Sequence, residues 1–190
     1  TDGLATASTD IITIPVSDAA TAAQGATIAG KTAGNITFSQ GIADSHGNLI
    51  NGAALNANLT AIYGNGGADA VNVTISGTID DITADEVTAV NLIAAGTTGT
   101  VTATIDGNAA ELDGLAATGT AATCAFTITI DDTATLAQAK AIVAATTGSV
   151  TFSAKITDSV ANLKAGTTAF ADLTTVTART TDVAIDINDA

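Results

Sequence analysis

The side chains able to do chemistry are few and scattered. His46 is the only histidine and Cys124 the only cysteine. A histidine acts as base or ligand through polar partners, but Ser45, Gly47 and Asn48 around His46 have the composition of a turn. A lone cysteine makes no intrachain disulfide and no four-cysteine zinc site, so Cys124 reads as a small buried hydrophobe at a strand edge. The acidic residues offer more. Asp80-Asp81 and Asp131-Asp132 are adjacent carboxylate pairs, and calcium, a hard cation, takes six to eight oxygens. Gly64-Asn65-Gly66-Gly67-Ala68-Asp69-Ala70-Val71 comes close to a glycine-rich calcium-binding nonapeptide, a motif that works in tandem and occurs here once. Asp69, Asp131 and Asp132 are therefore the candidate calcium ligands, and no other cofactor is expected. A structural role competes for Asp18, Asp44, Asp132 and Asp158: an aspartate at a helix start accepts from free N–H groups and stabilises by roughly 1 kcal/mol. Three Asn-x-Thr sequons, at Asn35, Asn58 and Asn72, are candidate glycosylation sites. No nucleophile with an activating base and no phosphate-binding loop is read from the chain, so it is expected not to be an enzyme.

Composition limits the partners. Five Lys and Arg stand against 19 Asp and Glu in 190 residues, a formal charge of -14 that would repel a phosphate backbone, so no nucleic acid is expected. No apolar run reaches the roughly 18 residues that span a bilayer. The absence of Met, position 1 included, is expected of a processed chain or a piece of a longer one. The 46% hydrophobic content is mostly Ala, Val and Ile with few aromatics, which predicts a core of thin layers built from small and β-branched side chains.

What positions these residues is a repeat. Shifting the sequence by 114 positions aligns residues 13–50 with 127–164 without a gap, and 18 of the 38 pairs are identical, among them Asp18, Thr21, Gln24, Thr32, Gly34, Phe38, Asp44 and Asn48. Chance in a chain this rich in Ala and Thr gives roughly one match in eight. Under this alignment Val160 stands where His46 does, so a histidine site would belong to one copy alone. A third, more divergent copy lies between the two, with Thr97-Thr98-Gly99-Thr100-Val101-Thr102 against Thr146-Thr147-Gly148-Ser149-Val150-Thr151. The unit is then about 57 residues, half of 114.

Each unit opens with a period-two stretch such as Phe126-Thr127-Ile128-Thr129-Ile130, the pattern of a half-buried strand. A helix follows, with Asp18 and Asp132 placed as N-caps and Leu136, Ala139, Ile142 and Val143 at helical spacing. Thr83-Ala84-Asp85-Glu86 has the spacing of a capping box ahead of Val87, Val90 and Ile93. Gly34, Gly99 and Gly148 stand as helix C-caps. A second strand, Val150-Thr151-Phe152-Ser153, precedes a short segment capped by Asp158 with Val160 and Leu163 inward. Strands alternating with helices predict an α/β fold of tandem strand-helix-strand repeats with parallel pairing through right-handed crossovers. The alternative is a β-sandwich array with the Ala-rich stretches as loops. The predicted units are 1–70, a divergent 71–125, and 126–184, with 185–190 opening an incomplete fourth.

The phrases Ile130-Asp131-Asp132-Thr133-Ala134-Thr135-Leu136-Ala137-Gln138-Ala139, Thr146-Thr147-Gly148 and Ile156-Thr157-Asp158-Ser159-Val160-Ala161-Asn162-Leu163 resemble repeats of very large secreted bacterial surface proteins, such as RTX-associated adhesins and cyanobacterial cell-surface proteins. The resemblance covers most of the chain and implies an extracellular or cell-surface location and a role as stalk, fibre or adhesive layer. The expected function is a structural repeat region of a surface or filament protein; the alternative is an adhesive module for carbohydrate or a protein partner. The closing strand, with Val183, Ile185 and Ile187, is expected to present an unsatisfied edge that pairs with another copy, giving a homo-oligomer or head-to-tail filament.

Overall fold

Alternation decides the sheet. In β7 (Thr100–Gly107) Val101, Ala103 and Ile105 are buried while Thr100, Thr102 and Thr104 lie on the other face, and β8 (Thr123–Ile130) buries Cys124, Phe126, Ile128 and Ile130 in the same way. The computed structural model describes residues 9–65, 70–116, 123–163, 176–177, 180 and 183–188. The chain begins with β1 (Ile14–Val16), α1 (Ala22–Ala29), β2 (Ile36–Phe38), β3 (Ile42–Ser45) and the one-turn α2 (His46–Leu49). A small antiparallel pair, β4 (Ile50–Asn51) and β5 (Ala54–Leu55), and α3 (Ala57–Gly64) lead into β6 (Val73–Ile79) and α4 (Ala84–Ala95). After β7 come α5 (Ala109–Leu112), β8, α6 (Leu136–Ala144), β9 (Val150–Phe152), β10 (Ile156–Asp158), α7 (Val160–Leu163) and β11 (Ile185–Ile187).

The fold is α/β, with a parallel five-stranded sheet in the order β3-β6-β7-β8-β9. The outlying pairs extend it. β1 pairs with β2 as Ile14↔Ile36, and the isolated bridge Ala20↔Ile42 keeps the same 22-residue offset, so β1 and Ala20 form one interrupted strand beside another made of β2 and β3. β8 with Ala134 runs beside β9 and β10 at that offset too, Ile128↔Val150 and Ala134↔Ile156, and β10 then pairs with β11. Strand rows thus follow one another in chain order. α1 packs on α3, α4 on α5 and α5 on α6.

The 114-residue repeat appears element by element, with β1, α1, β2, β3 and α2 answered by the end of β8, α6, β9, β10 and α7. Halving it does not describe the middle: 62 residues separate Ala22 from Ala84 and 52 separate Ala84 from Leu136, so a strict 57-residue unit is not confirmed. Beyond β10 the 114-residue offset is not kept, and the register gives the correspondence instead. Ile42 pairs with Val73 and Ile156 with Ile185, so Val73 and Ile75 are the counterparts of Ile185 and Ile187.

The caps differ from the expected ones. Thr21, Thr83 and Thr135 are the N-caps of α1, α4 and α6, each in a capping box with Gln24, Glu86 or Gln138. In α6 the Gln138 N–H donates to Thr135 Oγ1 at 3.3 Å, and the Thr135 N–H donates back to Gln138 Oε1 at 3.0 Å. Asp18 is exposed three residues before its cap. The C-caps are Gly30, Gly96 and Ala145 rather than Gly34, Gly99 and Gly148.

Those three glycines serve another junction. A Cβ on Gly34, Gly99 or Gly148 would lie 2.6, 2.4 or 2.1 Å from the carbonyl oxygen of Ile12, Val71 or Phe126, closer than a side chain tolerates. The hydroxyls of the buried Thr32, Thr97 and Thr146 donate to those same oxygens at 2.7, 2.6 and 2.7 Å, and accept from the glycine N–H. One Thr-x-Gly device therefore locks each of three helix exits to the strand row before it.

Candidate functional site

The C-terminal ends of three neighbouring strands bring carboxylates together. Asp81 follows β6, Asp106 lies near the end of β7, and Asp131 follows β8; their carboxylate oxygens lie within 4.8 Å of one another. Backbone bonds hold the cluster, with the Ile82 N–H donating to Asp106 O at 3.0 Å and the Asp131 N–H to Gly107 O at 3.0 Å. Asp81 adopts a φ of 51°, a left-handed conformation that Asp tolerates better than most residues. Asp106 is pushed up to about 6, first by a hydrogen bond shared with Asp131, then by burial and the charges of Asp131, Asp80 and Asp81. Three carboxylates this close repel when ionised, and the arrangement relieves that by holding a proton or by supplying oxygens to a hard cation.

Of the expected calcium ligands, this cluster among the described residues contains one. Asp131 belongs to the cluster. Asp132 does not: its Oδ1 accepts from the Ala109 N–H at 2.8 Å, at the start of α5 beside the N-cap Asn108. Asp69 lies outside the described residues. Of the glycine-rich nonapeptide, Gly64 is the last residue of α3, and Asn65 donates its side-chain amide to Thr32 O at 2.8 Å and Ala29 O at 3.2 Å. Asp81 stood in the Asp80-Asp81 pair noted in the sequence but was not among the expected ligands, and Asp106 was missed. The signal for Asp106 is the dipeptide Ile-Asp at the end of a period-two strand, Ile105-Asp106 as in Ile130-Asp131, whereas after Ile79 it is the second aspartate of Asp80-Asp81 that joins the cluster.

Asp44 and Asp158 fasten helices from the neighbouring strand row. Asp44 Oδ2 accepts from the Ala22 N–H at 3.0 Å and Asp158 Oδ2 from the Leu136 N–H at 3.1 Å, the first residues of α1 and α6. Their other oxygens accept from Ser45 N–H and Asn48 Nδ2, and from Ser159 N–H and Asn162 Nδ2. Burial is the largest single influence on each and pushes the carboxyl up, but the three hydrogen bonds together overcome it and leave both below the ordinary range. Leu163 is buried as expected, whereas Val160 is 41% exposed.

His46 begins a helix rather than a turn. Its Nε2 meets Glu86 Oε1 at 2.7 Å, and Glu86 already closes the capping box of α4 through its other oxygen. Burial raises Glu86, but the bonds from the Thr83 N–H and hydroxyl and from His46 outweigh it and lower the carboxyl. Cys124 is buried in an inner strand, and burial pushes its thiol up, away from the reactive thiolate.

One chemical pattern escaped the reading of the sequence: Gly25-Ala26-Thr27-Ile28-Ala29-Gly30-Lys31-Thr32 spells the phosphate-loop motif. The fold denies it that use. Such a loop leads from a strand into a helix N-terminus, whereas Gly25 to Ala29 lie inside α1, Gly30 is its C-cap and the Thr32 hydroxyl is spent on the carbonyls of Asp10 and Ile12. Among the sequons, Asn35 is exposed before β2, Asn58 is half-buried in the first turn of α3, and Asn72 is exposed with Oδ1 accepting from the Thr100 N–H at 2.8 Å.

Val183 packs partly against the core, while Ile185 and Ile187 are 40% and 58% exposed. The closing strand is not without a partner inside the chain, since β10 pairs with one of its edges. Among the described residues no helix is long and apolar enough to cross a membrane. Comparison with known protein families, with curated proteins and with solved structures finds no match to this chain.

Proposed function

We propose that the chain is a structural repeat region of an extracellular surface or filament protein, which joins other copies through its closing strand. The observation that supports this best is the array: strand rows follow one another in chain order, the run from β1 to α2 recurs element by element 114 residues later, and the Thr-x-Gly junction recurs at three helix exits. Repeats of this kind gain stability from nearest-neighbour contacts and extend in one direction. The polar groups that could do chemistry are occupied in fastening it, with His46 on Glu86, Asp132 on α5, and Asp44 and Asp158 on α1 and α6. The adhesive reading draws less support. Sugar sites favour exposed aromatic rings, whereas among the described residues Phe38 and Phe126 are buried, Tyr63 and Phe152 are half-buried, and the open face of the sheet carries Thr74, Thr102, Thr104 and Thr127. Any calcium dependence is assigned to Asp81, Asp106 and Asp131. Antibodies raised against the purified chain are expected to label intact source cells or their shed filaments; labelling that appears only after the cells are permeabilised would refute the surface role.

A further inference from the structure

An asparagine followed by glycine carries a reaction that needs no enzyme. The glycine backbone nitrogen attacks the asparagine side-chain carbonyl carbon, and glycine suits this step because it has no Cβ to block the approach and turns freely about its backbone. Asn-Gly occurs twice in the chain, at Asn51-Gly52 and Asn65-Gly66. Asp-Gly, which reacts by the same route more slowly, occurs at Asp2-Gly3, Asp106-Gly107 and Asp113-Gly114. The fold separates these pairs.

Asn51 and Gly52 lie at the tip of the β4–β5 hairpin. The pairs Ile50↔Leu55 and Asn51↔Ala54 leave a two-residue loop, Gly52-Ala53, and Gly52 takes a φ of 57°, the pattern of a type II′ turn. Asn51, Gly52 and Ala53 are all exposed, and a Cβ placed on Gly52 would meet nothing within 4 Å. Among the described residues no group holds the Asn51 side-chain amide and no carbonyl takes the Gly52 N–H. Bringing that nitrogen onto the side chain requires a rotation at Asn51, which breaks its pairing with Ala54. The demand is small, because a hairpin of two pairs is marginal by itself and Asn51↔Ala54 is its outermost pair.

The other described pairs are held. Asn65 donates its side-chain amide to Ala29 O at 3.2 Å and Thr32 O at 2.8 Å, and its backbone N–H donates to Ile62 O at 3.2 Å. The Gly114 N–H, next to Asp113, donates to Glu111 O at 3.0 Å. Gly107 is buried in β7 with β8 alongside, where a Cβ would come 2.8 Å from the Ile82 side chain. Asp2 lies outside the described residues.

We propose that Asn51 is a self-modification site: the folded chain deamidates it through a succinimide to a mixture of aspartate and isoaspartate, and spares Asn65. The Gly52 nitrogen gives its proton to hydroxide and forms a bond to Asn51 Cγ. The Cγ–Nδ2 bond breaks, and the amide nitrogen takes a proton back from water and leaves as ammonia. Water then opens the ring. Cleavage between the Gly52 nitrogen and Cγ gives aspartate, and cleavage between that nitrogen and the main-chain carbonyl carbon gives isoaspartate. One water is consumed and one ammonia released, with no oxidation or reduction. Isoaspartate routes the main chain through the side chain and lengthens it by one carbon, so the two-residue loop no longer keeps the Asn51↔Ala54 register. The hairpin on α4 is thereby loosened, and a carboxylate joins a chain already at -14. The site belongs to one block alone, since Ala165-Gly166 stands 114 positions later. It goes beyond the reading of the chain as a surface repeat and does not depend on it.

The test incubates the wild-type full chain at mildly alkaline pH and body temperature, folded in buffer or unfolded in urea. Peptide mapping by mass spectrometry locates each conversion, released ammonia counts them, and methyl transfer by an isoaspartate-specific carboxyl methyltransferase detects the isoaspartyl product. In the folded chain Asn51 is expected to convert at least about tenfold faster than Asn65, whose two side-chain hydrogen bonds must break first. In urea, where those bonds are gone, both are expected to convert at similar rates. Asn51→Gln, whose longer side chain closes a larger ring far more slowly, is expected to abolish methyl acceptance by the folded chain. Asn51 that stays intact in the folded chain, Asn65 that converts there as fast as Asn51, or methyl acceptance that survives Asn51→Gln overturns the proposal.

Discussion

Asp106 shows how one residue can carry a pH response of its own sign. Its carboxyl is pushed up to about 6 by Asp131, burial and the neighbouring charges, so the folded chain holds a proton there that the unfolded chain, with an ordinary value of 3.8, has released. Between those values the folded state binds more protons, and stability falls as pH rises. Asp106→Asn removes the response. The variant is expected to melt higher than the wild type above pH 6, with the difference shrinking as pH falls through that value, measured by thermal denaturation across a pH series. A variant that melts lower than the wild type at neutral pH would mean that Asp106 contributes bonds rather than repulsion.

At the scale of elements, helices are fixed by groups from the next strand row. α6 has its own capping box, and it also receives Asp158, only 9% exposed, whose Oδ2 takes the Leu136 N–H. Removing that carboxylate leaves Leu136 and Ser159 N–H groups without acceptors, so Asp158→Ala is expected to cost about 1–3 kcal/mol by urea denaturation at neutral pH. The pH sign is opposite to that of Asp106. Asp158 and Asp44 are lowered in the folded state, so their contribution is complete above the ordinary value of 3.8 and is lost as pH falls below it through the folded values. The cost of Asp158→Ala should therefore shrink in acid, and a cost that stayed constant would assign it to packing.

For the whole molecule, stability should be graded along the array. β7 and β8 have a strand on each side and helices over one face, whereas β1 and β11 each have a single neighbour among the described residues. In a quasi-one-dimensional stack, opening starts where neighbours are fewest. Hydrogen exchange on the monomeric chain is expected to be slowest at Val101, Ile105 and Ile128 and fastest at Ile185 and Ile187. Uniform protection from end to end would instead describe one cooperative body.

Much of this was legible in the residues themselves. The alternation from Phe126 to Ile130, the helical spacing of Leu136, Ala139, Ile142 and Val143 and the box from Thr83 to Glu86 each lie within a few residues, and local backbone geometry of period two or 3.6 turns them directly into a strand, a helix and a cap. The recurrence of residues 13–50 at 127–164 was equally plain, because closely matching stretches fold alike. Partners brought together by the sheet were not. Asp132 reaches Ala109, Asp158 reaches Leu136, Gly148 meets Phe126 O, and Asp81, Asp106 and Asp131 converge, all across about 20 or more residues of chain. Those distances are closed by strand register, which a short window of sequence does not contain.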